Sequence, residues 1–169
     1  MSIITNTTLI SNFAGVDQLE LLSRLWKRLY LSEQVFAEIQ AGLTQGYQFY
    51  ANIEQLIVPF SKTGWLHLTG LNTTDEFRTF GQLLSHLHSG EASSLAIAYH
   101  RQWTFLSDDK AARKAGTSLN VPISGTIGVL LALVKHHHVS LTQADRILQQ
   151  MIQLGYHAPV SSLNEILGD

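Results

Sequence analysis

Short β-type runs alternate with segments of helical periodicity along the whole chain, and this alternation constrains the fold more than any other feature. Runs rich in β-branched, aromatic and leucine residues predict strands at residues 2–5, 29–32, 103–107 and 121–124. Residues 65–71 alternate apolar and polar side chains, which predicts an edge strand. Strands separated by helices predict an α/β fold, with a central, mostly parallel sheet of four to five strands and helices on both faces.

The predicted helices fill the spaces between these strands. Ser32 is a predicted N-cap for one of them, and Gly42 is predicted to end it. Apolar residues at helical spacing predict the others at residues 16–29, 49–57, 77–87, 91–99, 108–116, 125–138, 140–156 and 162–167.

Composition limits the classes of protein to be considered. The chain has 169 residues, of which 45% are hydrophobic, and it shows no linker, so a single domain over residues 1–169 is expected. Cysteine is absent, which excludes disulfides and thiolate metal sites. The apolar run at residues 127–134 is too short to cross a bilayer and the first residues do not resemble a signal peptide, so a cytoplasmic protein without a membrane partner is expected. The net charge of -2 leaves only a local patch for any nucleic-acid contact.

Acidic residues lie close to the predicted carboxyl ends of the strands, where α/β sheets bind ligands. Asp108 and Asp109 follow a strand directly, and either caps the next helix or binds a hard cation such as Mg²⁺. Glu91 lies in the first turn of its helix, where its charge suits the helix dipole or a metal. Glu38 is about 60° around its helix from buried Val35, so it is either a solvated boundary residue or a group facing the crevice.

Three cations follow the aspartate pair. Lys110, Arg113 and Lys114 share one helix face and either form a solvated surface or bind phosphates beside an acidic metal site.

Five segments together resemble a known family. They are IITNTTLISNFA, VFAEI, LHSGEASSLAIAY, FLSDDKAARKAG and VPISGTIGVLLALVK, in this order over nearly the whole chain. The sequence resembles the PIN-domain proteins, and within them a bacterial subgroup of predicted nucleic-acid-binding members. The resemblance implies acidic residues gathered at one end of a parallel sheet, where they bind Mg²⁺ or Mn²⁺ and support hydrolysis of RNA. It also implies a toxin of a toxin–antitoxin pair, with an antitoxin protein as partner, and a homodimer.

The resemblance assigns roles residue by residue. Glu38 and Glu91 match acidic positions of two family helices, Asp109 matches the aspartate of the Thr-x-Asp strand end, and Asp108 is the extra acid of the subgroup. These four are the predicted catalytic residues, and the predicted metal ligands are Asn6, Glu38, Glu91 and Asp109. The predicted substrate-binding residues are Ser107, Ser124, Thr126, Lys110, Arg113 and Lys114.

Asn6 is the one departure from the family pattern. The family usually has aspartate at the end of the first strand, and asparagine offers an oxygen to a metal without the negative charge. A lost charge weakens binding of Mg²⁺ and raises the pKa of a water bound to it. Two functions therefore stay open: an active ribonuclease, and a weakened PIN fold that binds nucleic acid or protein without cutting. A small-ligand-binding domain is a third class, but no glycine-rich phosphate loop supports it.

Overall fold

Six parallel strands form the centre of the protein, whose computed structural model describes residues 1–168. The strands lie in the order β3-β4-β2-β1-β5-β6, and every pairing between neighbours is parallel. Their bounds are β1 Ile3–Thr5, β2 Leu29–Ser32, β3 Ile57–Val58, β4 Leu66–Thr69, β5 Thr104–Leu106 and β6 Ile123–Ser124. The predicted α/β class is confirmed, and the sheet has one strand more than the upper predicted number.

Helices connect most successive strands, as is usual for parallel pairs, whereas β3 and β4 are joined by residues 59–65, which contain no helix. Within residues 1–168 they are α1 Thr7–Gly15, α2 Leu21–Leu25, α3 Glu33–Thr44, α4 Thr74–Leu83, α5 Ser89–Arg101, α6 Lys110–Ser118, α7 Thr126–Lys135, α8 Leu141–Gln153 and α9 Asn164–Leu167. Short 3₁₀ turns at Gln48–Tyr50 and Ile53–Leu56 precede β3.

Apolar side chains cover both faces of the sheet, because successive residues of a strand point to opposite faces. Phe105 packs in one core with Ile4 and helices α5 and α6, whereas the next residue, Leu106, packs in the other with helices α1, α3, α7 and α8. The predicted helices on both faces are therefore confirmed.

The edge of the sheet lies elsewhere than predicted. The strand predicted as an edge, residues 65–71, corresponds to β4, which is paired on one side with β2 and on the other with β3. The predicted helix at residues 49–57 is wrong, since this segment forms the two 3₁₀ turns and the start of β3. The backbone turns here instead of continuing as a helix, because Asn52, between the two 3₁₀ segments, has a positive φ of 62°.

The helix predicted at residues 16–29 is also wrong. The chain forms α1 before it and the five-residue α2 within it, separated by Asp17 with a φ of 57°. Asn6 starts α1, since its side-chain oxygen accepts a hydrogen bond from the N–H of Leu9 at 3.1 Å. Trp26 is extended, and the chain then enters β2.

A buried ion pair fastens α4 to α5 and to the end of β4. Glu76 is only 2% exposed, and its Oε1 accepts a hydrogen bond from Arg101 Nε at 2.7 Å. The same guanidinium donates to the Thr69 hydroxyl at 2.8 Å and to the Gly70 carbonyl at 2.7 Å. Glu76 also accepts from the N–H groups of Asn72 and Thr73, so it completes the capping box of α4.

None of the helices in residues 1–168 combines the length and the apolar character needed to cross a membrane. The single domain over residues 1–169 stays a prediction.

Candidate functional site

Carboxylates from three helices approach one another beside the carboxyl ends of β1 and β5. Glu38 comes from the middle of α3, Glu91 from the first turn of α5, and Asp109 from the cap of α6. The parallel sheet brings all three to one edge: Glu38 lies on the helix that follows β2, Asp109 caps the helix that follows β5, and α5 starts at this edge with Glu91 in its first turn before it leads into β5.

Glu38 joins three helices through its carboxylate. Its Oε1 accepts a hydrogen bond from the N–H of Gly90 at 2.9 Å, and its Oε2 accepts one from the Thr7 hydroxyl. Gly90 has no side chain, which makes room for this contact: a Cβ there would lie 2.5 Å from Glu38 Oε2. Gly90, the residue before Glu91, therefore allows the Glu38 carboxylate to approach the start of α5.

Glu91 lies under repulsion from the two other carboxylates. Burial, the charge of Asp109 and the charge of Glu38 together raise its pKa, against a hydrogen bond from the N–H of His88 at 3.2 Å. A buried carboxylate among like charges is typical of functional sites, because its ionised form needs a cation nearby.

Asp109 caps α6 with one of its oxygens. Its Oδ1 accepts a hydrogen bond from the N–H of Ala112 at 2.7 Å. In the part of the chain that the structure describes, Asp109 Oδ2 and Glu91 Oε1 accept no hydrogen bond. The capping role and a ligand role are thus compatible for Asp109, since the two use different oxygens.

Asp108 faces a different set of groups from Asp109. Its carboxylate accepts from the Thr126 N–H at 2.8 Å, the Thr126 hydroxyl, Asn12 Nδ2 at 3.3 Å and the Tyr156 hydroxyl at 3.1 Å. Burial and the charge of Asp108 raise the pKa of Tyr156, so its phenol stays protonated and donates. Asp108 therefore ties the start of α7 and the segment after α8 to the end of β5.

Asn12 and Tyr156 are site residues that the sequence reasoning missed. Asn12 lies on the face of α1, a helix that was not predicted as such, and Tyr156 follows α8 without any pattern that distinguishes it. No local signal connects either residue to Asp108, which lies 96 and 48 positions away in the chain.

Asn6 and Ser107 are buried and bonded to each other. Asn6 is 1% exposed. Its side-chain oxygen accepts a hydrogen bond from the Leu9 N–H, and its Nδ2 donates one to Ser107 Oγ at 2.9 Å. Ser107 Oγ accepts a second hydrogen bond from the N–H of Asp109 at 3.2 Å. Both residues thus connect β1 and β5 beneath the carboxylates.

Two of the three predicted phosphate-binding cations line a cavity of about 690 Å³ beside Asp108. Lys110, Arg113 and the predicted Ser124 are among its lining residues, and we call it the phosphate cavity. Arg113 Nη1 also donates to the Ser107 carbonyl at 3.0 Å. Lys114 is exposed outside this lining, while Thr126 is fully buried with its hydroxyl on Asp108.

The donor chemistry of the site fits a hard divalent cation. Carboxylate oxygens are the ligands that Mg²⁺ and Mn²⁺ prefer, and a cation would relieve the repulsion on Glu91. The side chains are not gathered on one point, since residues 1–168 contain no group of three His, Asp or Glu side chains arranged to hold a metal ion. Glu38, Glu91 and Asp109 are the residues that could supply the oxygens.

Comparisons with known proteins bear on the whole chain. A family model described as a PIN domain matches residues 2–169. Among solved structures, the crystal structure of FitAcB from Neisseria gonorrhoeae is similar at 19% sequence identity and a TM-score of 0.43, over 72% of this chain and 95% of that one. No curated protein matches the chain.

Proposed function

Because the chain belongs to the PIN-domain family, we propose that it is a divalent-metal-dependent ribonuclease that hydrolyses RNA phosphodiester bonds. The observation that carries this proposal is the placement of Glu38 against the N–H of Gly90, the residue before Glu91, with Glu91 and Asp109 each keeping one oxygen without a hydrogen bond. Burial and the charges of Asp109 and Glu38 also raise the pKa of Glu91, so a dication bound there would stabilise its ionised form.

Glu38, Glu91 and Asp109 would hold Mg²⁺ or Mn²⁺. When bound, such an ion acts as a Lewis acid on the phosphoryl oxygen and lowers the pKa of a coordinated water. Glu91 and Asp109 each offer an oxygen without a hydrogen bond, whereas both oxygens of Glu38 accept one. Asp108 and Asn6 act in this proposal by fixing the surrounding strands and helices, because their polar atoms bond to the protein itself.

The cations of the phosphate cavity would hold the RNA backbone. Lys110 and Arg113 are exposed there, next to the N-terminus of α7, so the two cations and the positive end of the helix dipole border the same space. Ser124 adds a hydroxyl to this wall. Lys114 contributes charge at longer range.

The proposal predicts that RNA cleavage requires a divalent metal. Purified protein incubated with a single-stranded RNA should cleave it in Mg²⁺ or Mn²⁺ and not in excess EDTA, and adding Mn²⁺ should raise the melting temperature of the protein. Cleavage needs the ion for its Lewis acidity, and the melting temperature rises because the ion binds the folded protein and neutralises the charges around Glu91. Cleavage that continues unchanged in EDTA would contradict a metal-dependent site.

Gly90→Ala is predicted to reduce cleavage by about 10²-fold, as displacement of a reacting group by about 1 Å does. The new methyl group would lie 2.5 Å from Glu38 Oε2 and 2.7 Å from Oε1, so the carboxylate has to move. The melting temperature should change little, because only the end of a flexible side chain is displaced. The rate of cleavage and a thermal melt measure the two effects.

Gly81→Ala is the matched control for this substitution. Gly81 lies in α4, and no atom lies within 4 Å of its added Cβ. The control should cleave RNA at the wild-type rate. Equal activity of the two variants would show that the position of the Glu38 carboxylate does not matter for the reaction.

A second candidate function is a PIN fold that binds RNA or protein without cutting. The observation that favours it is Asn6, which is uncharged and fully engaged with Leu9 and Ser107 where an aspartate is usual. A titration distinguishes the two functions: a protein of this second kind neither gains stability from Mn²⁺ nor cleaves RNA, yet still binds its partner.

The resemblance to the family also supports two proposals about partners. We propose that the chain forms a homodimer, and that an antitoxin protein inhibits it as the toxin of a toxin–antitoxin pair. Light scattering on the purified chain measures whether it is a dimer, and co-expression with a neighbouring gene product tests whether an antitoxin inhibits it.

A further inference from the structure

A second cavity adjoins the carboxylates on the side away from Lys110. It has a volume of about 570 Å³, within the range of small-ligand sites. Its lining includes Asn12, Phe49, Asp109, Leu154 and Tyr156. We call it the aromatic cavity, and it shares a wall of Asp108, Tyr156 and His157 with the phosphate cavity.

We propose that the aromatic cavity binds an unpaired nucleobase of a single-stranded RNA, at the nucleotide next to the one whose phosphodiester is cut. This inference rests on the proposed ribonuclease function and adds to it a base-binding subsite beside Asp109.

Phe49 supplies the stacking surface. It is 41% exposed, which is unusual for a phenylalanine, and its ring packs on buried Tyr50 with centroids 4.5 Å apart. Tyr47 stacks beside it with centroids 5.7 Å apart. The ring is therefore fixed in orientation but open to the cavity, and a nucleobase can stack on such a ring whatever its sequence.

Asn12 and Tyr156 supply polar groups of defined direction. Asp108 accepts from both Asn12 Nδ2 and the Tyr156 hydroxyl, so the two side chains are held in place. In the described part of the chain, Asn12 Oδ1 accepts no hydrogen bond. It is thus left as an acceptor for a base N–H, while Met151 and Leu154 give the cavity its apolar part.

The neighbouring cavity explains why the occupant is a nucleotide rather than another aromatic molecule. Across the shared wall, Lys110 and Arg113 offer positive charge. On the near side, Asp109 borders the aromatic cavity and belongs to the carboxylate group. The inference thus places a dinucleotide step across the site. Its base lies in the aromatic cavity, a flanking phosphate lies in the phosphate cavity, and the scissile phosphate lies at the carboxylates. Bases in an RNA duplex are stacked and paired, so they cannot enter.

The test measures RNA binding separately from cleavage. Fluorescence anisotropy measures the binding of a fluorescein-labelled single-stranded RNA decamer, and of a duplex of the same sequence, to Glu91→Gln protein in excess EDTA, where the RNA is not cut. Within this background, Phe49→Ala should weaken single-strand binding about 5- to 150-fold. Phe49→Tyr should restore it, and duplex binding should be equal in all of these proteins.

The matched control is Phe77→Ala, which removes a ring of similar exposure, 54%, from α4 outside the cavity. It should bind as the parent does. A thermal melt of each variant shows that the fold is retained.

Equal binding of the single strand by Phe49→Ala and Phe77→Ala overturns the inference, and so does an equal loss of single-strand and duplex binding in Phe49→Ala. Absence of any RNA binding by the parent also overturns it. Failure of the ribonuclease proposal is recognised separately, as wild-type protein that binds the decamer through Phe49 but does not cut it in Mn²⁺.

Discussion

Replacing Glu91 with glutamine should slow RNA cleavage by about 10²–10⁴-fold and, in the same protein, raise the melting temperature in metal-free buffer. Glutamine keeps an oxygen for the His88 N–H but cannot offer a negative charge. Removing the charge relieves the cost of burial and the repulsion from Asp109 and Glu38, which together raise the pKa of Glu91. A loss of activity together with a gain of stability is typical of a residue that is kept for function.

The stability effect should depend on pH in a defined direction. Because the pKa of Glu91 is raised in the folded protein, its contribution to stability is present below its ordinary pKa and is lost as the pH rises through the raised value. The difference in melting temperature between Glu91→Gln and wild type should therefore grow from acid to neutral pH, and shrink when Mn²⁺ is added.

Glu20→Gln serves as the control for this experiment. Glu20 is exposed before α2 and its side chain makes no capping hydrogen bond, so neither the rate nor the melting temperature should change. If Glu91→Gln cleaves RNA like wild type, Glu91 is not part of the active site. If it melts below wild type in metal-free buffer at neutral pH, burial and repulsion do not destabilise the charged form of Glu91.

Glu76→Ala should destabilise the fold by about 3–5 kcal/mol, the usual cost of removing one partner of a buried ion pair. At about 2–4 °C per kcal/mol for a chain of this size, the melting temperature should fall by about 6–20 °C. Arg101 would lose its anionic partner, and the N–H groups of Asn72 and Thr73 would lose their acceptor. A thermal or urea denaturation curve measures the change.

Acid should remove this difference. Burial by itself raises the pKa of Glu76, but the Arg101 guanidinium and the Asn72 and Thr73 N–H groups lower it overall. The stability that Glu76 contributes to the fold is therefore present above its ordinary pKa and is lost as the pH falls through the lowered pKa. Wild type and Glu76→Ala should thus converge in stability at low pH.

A second ion pair on the same helix provides the control. Arg78 pairs with Asp75 at 2.6 Å, but their side chains are 63% and 65% exposed. Arg78→Ala should cost only about 0–1 kcal/mol, as exposed pairs do. Equal losses in Arg78→Ala and Glu76→Ala would show that burial of the Glu76–Arg101 pair adds nothing.

Much of the fold could be predicted because periodicity reports which faces of an element are buried. The runs at residues 29–32 and 103–107 are strands since their apolar residues are needed on both faces of the sheet. The helix α1 was missed because Thr7 and Thr8 are β-branched and polar, although Asn6 as N-cap and the spacing of Leu9 and Phe13 agree with a helix. The two-residue β3 is too short to give any periodic signal.

The candidate site divides in the same physical way. Glu38, Glu91 and Asp109 could be proposed from the sequence because the resemblance to the PIN-domain proteins assigns each of them an acidic position of the family. The different contacts of Asp108 and Asp109 could not be predicted from the sequence. They depend on Thr126 and Tyr156, which only the folded chain brings to Asp108. Whether the carboxylates serve as metal ligands stays a prediction.

The hydrogen bond between Asn6 and Ser107 has a direction, and that direction sets what position 6 can become. The Asn6 amide donates and the Ser107 hydroxyl accepts, so the serine proton remains available to another group. Aspartate has no N–H there, and Ser107 would have to turn its own proton toward it. Replacing Asn6 with aspartate would therefore reverse the direction of a buried hydrogen bond as well as change the charge.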